Sequence, residues 1–542
     1  MVPERGKIVG PGSVETLTMP QSQIPQPASA ETRRSHDNAV LAIACLAQFM
    51  VVLDVSIVNV ALPSIGRDLH YSATGLQWVV NAYVLTFAGF LLLGGRAADI
   101  FGRRRVYLAG LWLFTIASLA GGFAQNSTWL TVARATQGVG GAILSPATLT
   151  ILVTTFSGRH LARALGIWSA VAGAGGAAGA ILGGILTAEI SWRWVLFVNI
   201  PVGIVATIAA LAYLTETKGH REGDAPRAKL DIVGAVAVTG GLSALVYAIV
   251  GTASHAWAST QTLAFLAIAA VALVGFVVYE ARVAPNPLVP LGLFRSRSVW
   301  GANLVMFLVG AAFFAMWYFL SLYLQDVLGY GALRAGMAFL PMALTIIVGA
   351  QVSSRLLPRL GARPLLLIGT VAATAGFYLL SGISIHGDYW LHILGPSCLI
   401  SLALGLLFTP LASAATAGVA RHEAGLASGV LNTSRQVGGS LGLAILATIA
   451  TDRTNSLLGS GRALGAGSAS TRAALSALDS GFVRAFQVAA VVTAAGFLAS
   501  FVVPRLRNPE TRQSDADAEA GSDATERGAD GSRHVPGVAF EL

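Results

Sequence analysis

A chain of 542 residues that is 54% hydrophobic and 11% charged, with a mean hydropathy of +0.68, lies well outside the composition of water-soluble domains. Its formal net charge of +9 raises nucleic-acid binding, but the basic residues fall in short clusters between apolar runs, where positively charged cytoplasmic loops account for them. The two cysteines, Cys45 and Cys398, both lie inside apolar runs, so neither a disulfide framework nor a metal site is indicated.

Residues 1–38 are polar and charged, carry no cleavable signal peptide, and read as a disordered cytoplasmic tail ahead of a first span that stays as an anchor. Apolar runs long enough to cross the hydrocarbon core follow near 39–65, 77–98, 106–124, 129–153, 163–188, 193–214, 231–251, 262–280, 299–324, 334–355, 364–384, 391–417, 425–450 and 482–504, which makes about fourteen spans. The expected architecture is an all-α polytopic membrane protein. An even number of spans puts both termini on one side, and the Lys and Arg residues fall roughly three to one on that same side, which makes it the cytoplasm. The expected organisation is a six-helix bundle over 39–214, a linker with two extra spans over 215–298, and a second six-helix bundle over 299–504. Within the second bundle, Thr451 to Ser480 is rich in Gly, Ser and Ala and reads as an extracytoplasmic loop, and 505–542 reads as a disordered cytoplasmic tail.

Asp54 stands out in the first span. A carboxylate at bilayer depth costs several kcal/mol unless it is paired, hydrated or neutralised, so it reads as functional. The loop after the second span holds Gly95, Asp99, Gly102 and Arg103, Arg104 and Arg105, glycines for close approach and a turn, and arginines for the anionic leaflet. This loop has a degenerate partner: Arg96, Gly102 and Arg104 match Arg355, Gly361 and Arg363 at identical spacing, as a parallel internal repeat requires.

With the Gly-x-x-x-Asp-x-x-Gly-Arg-Arg spacing from Gly95, the chain resembles the major facilitator superfamily. Arg134-Ala135-Thr136-Gln137-Gly138-Val139-Gly140-Gly141-Ala142 is similar to that family's Arg-x-x-Gln-Gly-x-Gly-x-Ala motif, whose arginine is tied to proton coupling. Leu53-Asp54 through Asn59-Val60-Ala61-Leu62-Pro63 resembles the first-span signature of the fourteen-span drug:proton antiporters. Trp192-Arg193-Trp194 with Phe197, Asn199 and Pro201, and Asn432, Arg435, Gln436, Gly438 and Gly439, are similar to later elements of the same subfamily. The resemblance runs from about Ala39 to Pro504 and implies two six-helix bundles with two extra helices between them. One element departs from it: the antiporter signature Gly-Pro-x-x-Gly-Gly appears here as Gly179-Ala180-Ile181-Leu182-Gly183-Gly184, which keeps close packing and loses a proline kink. Gly138, Gly175, Gly179, Gly183 and Gly184 are the expected helix-packing positions.

A buried arginine stays protonated and must find a carboxylate, a carbonyl or water. Arg134 and Asp54 are therefore expected to pair, as the coupling site or as a static bridge between the first and fourth spans. Arg435 in the thirteenth span has no obvious acidic partner and reads either as an arginine snorkelling to the cytoplasmic end or as a substrate or gating residue. Trp78, Tyr83, Trp317 and Tyr318, with Asn59, Gln137 and Asn432, are the remaining candidates for a substrate cavity, the aromatics being equally readable as packing or interfacial residues.

The leading function is a proton-driven exporter of drug-like hydrophobic or amphiphilic compounds in the inner (plasma) membrane, monomeric, with no cofactor beyond the proton gradient and no nucleic-acid partner. A pump driven by ATP is excluded because none of Lys7, Lys218 and Lys229 sits in a phosphate-binding loop motif. An enzyme is disfavoured: no zinc-protease His pair or nucleophile elbow is present. The alternatives are a dedicated exporter of one metabolite, lipid or self-made antibiotic, and a membrane sensor that moves no solute. With Asp54 the single cavity acid in sight, neutral or monocationic substrates are favoured over polyvalent cations.

Overall fold

The computed structural model describes residues 30–504 apart from positions 73, 217–229, 253–254, 256, 286, 420–422 and 461–467. Most of the expected tails, 1–29 and 505–542, thus lie outside the described residues, while 30–38 form the first turns of a long helix.

The described chain is helical throughout. The first bundle comprises α1 (Ala30–Asp68), α2 (Trp78–Phe101), α3 (Arg103–Gly122), α4 (Ser127–Thr155), α5 (Gly158–Glu189) and a broken sixth span, α6 (Trp194–Phe197) with α7 (Asn199–Tyr213). Two further helices follow, α8 (Ile232–Gly251) and α9 (Thr260–Arg282). The second bundle comprises α10 (Arg297–Leu322), α11 (Ala332–Ala338) with α12 (Leu340–Leu360), α13 (Ala362–Leu380), α14 (Gly395–Thr416), α15 (Ala424–Ser460) and α16 (Ser468–Ser500).

Among the described residues, thirteen segments are long and apolar enough to cross a membrane. The fourteenth span is α15, long enough at 37 residues but diluted by Asn432, Arg435 and Gln436 and by Asp452 and Arg453. The loop expected over 451–480 is narrower than its composition implied. α15 continues to Ser460 and α16 begins at Ser468, because the Ala and Leu residues among the serines and glycines are good helix formers, and 461–467 lie outside the described residues.

In lipid, helices associate through close packing of small residues rather than through apolar burial, and the glycines show where. On α5, Gly175, Gly179 and Gly183 lie against the backbone of Phe49, Leu53 and Ile57 of α1; a Cβ at Gly179 would stand 2.8 Å from the Leu53 carbonyl oxygen. The adjacent stripe faces elsewhere. Gly184 meets Ala332 and Leu333 of α11, and Gly336 of α11 lies against the Ala180 carbonyl, so α5 joins the two bundles. Ser321 Oγ donates to the Asn59 carbonyl at 2.6 Å and Gln325 Nε2 to the Val60 carbonyl at 3.0 Å, which adds α1, the end of α10 and the helical turn that follows it to the same junction.

The internal repeat has a backbone counterpart. α2 ends and α3 begins at Gly102 with φ 101°, and α12 ends and α13 begins at Gly361 with φ 77°, the left-handed region that side chains other than glycine enter at a cost. A Cβ at Gly102 would also strike the Glu216 carboxylate, which pairs with Arg105 at 3.7 Å. Substituting Gly102→Ala is expected to destabilise the purified protein by about 1–2 kcal/mol. Gly166→Ala, at a helical position with open space around it, should hold the thermal midpoint or raise it slightly in the same measurement.

The α8–α9 pair is a hairpin packed against α2 of the first bundle and α15 of the second. α9 turns Ile268, Val271 and Val274 outward, more than half exposed, as a lipid-facing helix requires. An apolar cavity of about 210 Å³ lies under this hairpin, lined by Gly89 and Leu92 of α2, Val238 of α8, Phe307 of α10 and Val430 and Val437 of α15.

Candidate transport site

Five spans of the first bundle converge on Asp54, which is fully buried. The Arg134 guanidinium donates from Nη1 to Asp54 Oδ2 at 2.6 Å and to Gln137 Oε1 at 2.6 Å, and from Nε to the Val79 carbonyl at 3.1 Å. The other carboxylate oxygen accepts from Gln137 Nε2 at 2.7 Å and from Asn199 Nδ2 at 3.0 Å. Ser118 of α3 closes the network, its Oγ accepting from Gln137 and Asn199 while donating to the Leu196 carbonyl at 2.8 Å.

The Arg134 guanidinium carbon lies 4.5 Å from the centre of the Tyr83 ring, a cation–π contact. Close approach of α2 and α4 makes this possible. Gly138 sits directly against the Tyr83 carbonyl, and Thr86 Oγ1 donates to the Ala135 carbonyl at 2.8 Å. Gly140 does the same toward α3, where a Cβ would come within 2.6 Å of the Phe114 nitrogen.

Arg134 therefore has four partners. Protonating Asp54 removes one of them and leaves the Val79 carbonyl, the Gln137 carbonyl and the Tyr83 ring. Within the cluster, Tyr83 Oη and Asn199 Oδ1 are buried without a hydrogen-bond partner. Asp54 can thus take up a proton at the cost of its ion pair while Arg134 keeps its other contacts.

The other candidates are spread more widely. Gln137 belongs to the Asp54 cluster, and Tyr83 covers it. Asn59 spends its amide on the Val55 carbonyl of its own helix at 2.7 Å. Trp78 packs 6.2 Å from Tyr247 of α8, on the side of the extra hairpin. Trp317 stacks on Phe339 at 4.9 Å and Tyr318 is buried against Phe319. Asn432 accepts from Arg435 Nη2 at 2.8 Å in α15, away from the first cluster. The loop expected after the second span shrinks to Gly102: Gly95, Arg96 and Asp99 lie in the last turns of α2 and Arg103 to Arg105 open α3, where Arg104 donates to the Leu211 carbonyl at 3.0 Å, near the end of α7, where a cation also favours the helix dipole. Arg96 donates to the Pro287 carbonyl at 3.3 Å. A Cβ at Gly95 would come within 3.5 Å of Pro146 of α4, Arg103 is partly buried, and the Asp99 side chain lies outside the described residues.

Ser118 and the Val79 carbonyl were not among the sequence candidates. A serine within an apolar helix carries no signal of its own, and a backbone carbonyl none at all. Asn199 was visible only as part of a motif at the start of the sixth span.

Residues 44–443 match the family model described as Major Facilitator Superfamily. The chain is 45% identical over 420 residues to the cephamycin export protein CmcT of Amycolatopsis lactamdurans, covering 77% of this chain and 86% of that protein. It is 42% identical over 422 residues to the puromycin resistance protein pur8 of Streptomyces alboniger, covering 77% and 82%. A solved bacterial homologue of the human lysosomal transporter Spinster, in an inward-facing and unoccupied conformation, has a TM-score of 0.57 at 18% identity, over 86% of this chain and 98% of that one. By motif, fold and relatives, the chain belongs to the Major Facilitator Superfamily.

Proposed function

We propose that this protein is a proton-coupled exporter of drug-like hydrophobic or amphiphilic compounds that works by alternating access in the inner membrane, as a monomer with both termini in the cytoplasm. The single observation that carries the reading is the Asp54–Arg134 pair, a titratable carboxylate held by three side-chain donors in the interior of a helix bundle. A buried ion pair contributes little net stability, since desolvating each charge costs several kcal/mol, so retaining one at this depth favours function over scaffolding.

Alternating access is supported by where the bundles meet. The contacts of α5 with α11 and of α1 with α10 cluster at the ends of these helices remote from the Gly102 loop. Rocking about this junction would expose the cluster to one face at a time. A second reading, a dedicated exporter of one compound, is favoured by the relative named for cephamycin export.

The test is transport by the purified protein in proteoliposomes carrying an imposed pH gradient, with a panel of fluorescent amphiphiles. Gradient-driven accumulation that collapses with nigericin is the expected result. Movement indifferent to the gradient would remove the proton from the mechanism, and no movement of any solute would leave the sensor reading in its place. Accumulation of one chemical class alone would favour the dedicated exporter.

A further inference from the structure

Arg435 is a second intramembrane charge, and its surroundings differ from those of Arg134. It lies about 16 Å along α15 from Ala424 at 1.5 Å per residue, close to half of the roughly 30 Å hydrocarbon core. Two neighbours give the same depth. Its backbone carbonyl packs on Gly310 near the middle of α10, and its guanidinium lies 5.6 Å from the ring centre of Phe408, past the middle of α14. An arginine side chain reaches about 7 Å, too short to snorkel from there to either interface.

Nothing among the described residues neutralises it. The ion pairs present are Arg105 with Glu216, Arg134 with Asp54 and Arg193 with Asp68. Arg435 has one side-chain hydrogen bond, from Nη2 to Asn432 Oδ1 at 2.8 Å, and its Nε is buried without a partner. The guanidinium stays charged at any physiological pH, and a charged side chain at this depth faces the bundle interior or a water-filled cavity rather than lipid. The Asp54 charge is already compensated three ways, and the acids Glu280, Asp326 and Asp479 lie near the ends of their spans, so at the depth of Arg435 the charge left without a counter-ion is positive.

We infer that Arg435, oriented by Asn432, is an anchoring site for the anionic group, a carboxylate or its equivalent, of an amphiphilic substrate. The inference rests on the exporter reading and names its substrate class. A carboxylate that reaches it gives the unpartnered Nε a charge-assisted hydrogen bond and relieves the stranded charge, whereas a cationic compound meets repulsion. Phe408 offers apolar surface beside it. This reverses the expectation of neutral or monocationic substrates drawn from Asp54 alone.

The experiment measures fluorescence anisotropy of fluorescein, its methyl ester, which lacks the carboxylate, and the cation rhodamine 6G with the full chain in phosphatidylcholine nanodiscs. Wild type should bind fluorescein about tenfold tighter than the ester, the scale of one charge-assisted hydrogen bond. Arg435→Gln should bind the acid and the ester with the same affinity, and Arg435→Lys, which keeps the charge, should retain most of the preference. Displacement of fluorescein from wild type but not from Arg435→Gln by added phosphatidylglycerol supports the same anion site loaded from the bilayer. Equal affinity for acid and ester, preference for rhodamine 6G, or binding of none of the probes overturns the assignment. Gradient-driven transport of the ester or the cation in proteoliposomes would then show that the exporter reading survives, and its absence that both fail together.

Discussion

Replacing Asp54 with asparagine is expected to abolish uphill transport, by a hundredfold or more, while downhill exchange of substrate persists. The amide has the shape of the carboxylate and can still accept from Gln137 or Asn199, but it cannot take or release a proton. It also leaves the Arg134 charge buried beside a neutral group, and breaking a buried pair from one side costs about 3–5 kcal/mol. Thermal stability should therefore fall in Asp54→Asn and in Arg134→Gln. It should recover in large part in the double variant, where neither charge remains. Recovery of stability without recovery of uphill transport would separate the coupling role from the structural one. Uphill transport by Asp54→Asn at wild-type rate would eliminate the pair as the coupling site.

The second large effect is expected at the contact between the bundles. A Cβ at Gly184 would lie 2.8 Å from both the Ala332 carbonyl oxygen and the Leu333 Cα, all on rigid helix. Valine there should leave each bundle's own packing intact and prevent α5 and α11 from meeting. Transport should drop at least tenfold with little loss of thermal stability, since the strained contact can open. In a background lacking Cys45 and Cys398, a cysteine in place of the fully buried Ser321 reports the opening. It should resist a membrane-impermeant maleimide in the parent protein and react in Gly184→Val. Unchanged labelling together with unchanged transport would show that this contact does not govern the conformational cycle.

Much of this was legible in the sequence, for definite physical reasons. Spans could be read because hydrocarbon admits only long apolar helices, and α15 was the hardest because its own polar residues dilute it. Asp54 and Arg134 could be paired because each was an anomaly in an apolar run. The periodic glycines of α5 marked a packing face. Their division could not be read: Gly179 turns to α1 and Gly184 to α11, and spacing alone does not name the neighbour. Trp78 shows the same limit, since its position in a span says nothing of Tyr247 opposite. The depth of Arg435 needed three helices in register before snorkelling could be set aside.

The α8–α9 hairpin touches both bundles, yet it grips them unequally. Gly89 of α2 sits directly against Thr239 of α8, backbone nearly on side chain with nothing between. Toward α15 the hairpin leans through aliphatic side chains and one long hydrogen bond, from Thr448 Oγ1 to the Ile249 carbonyl at 3.3 Å. If the halves rock as proposed, these contacts would let the hairpin travel with the first bundle and slide over the second, a bearing with a greased flank along α15 that keeps lipid tails out of the gap while motion passes beneath it.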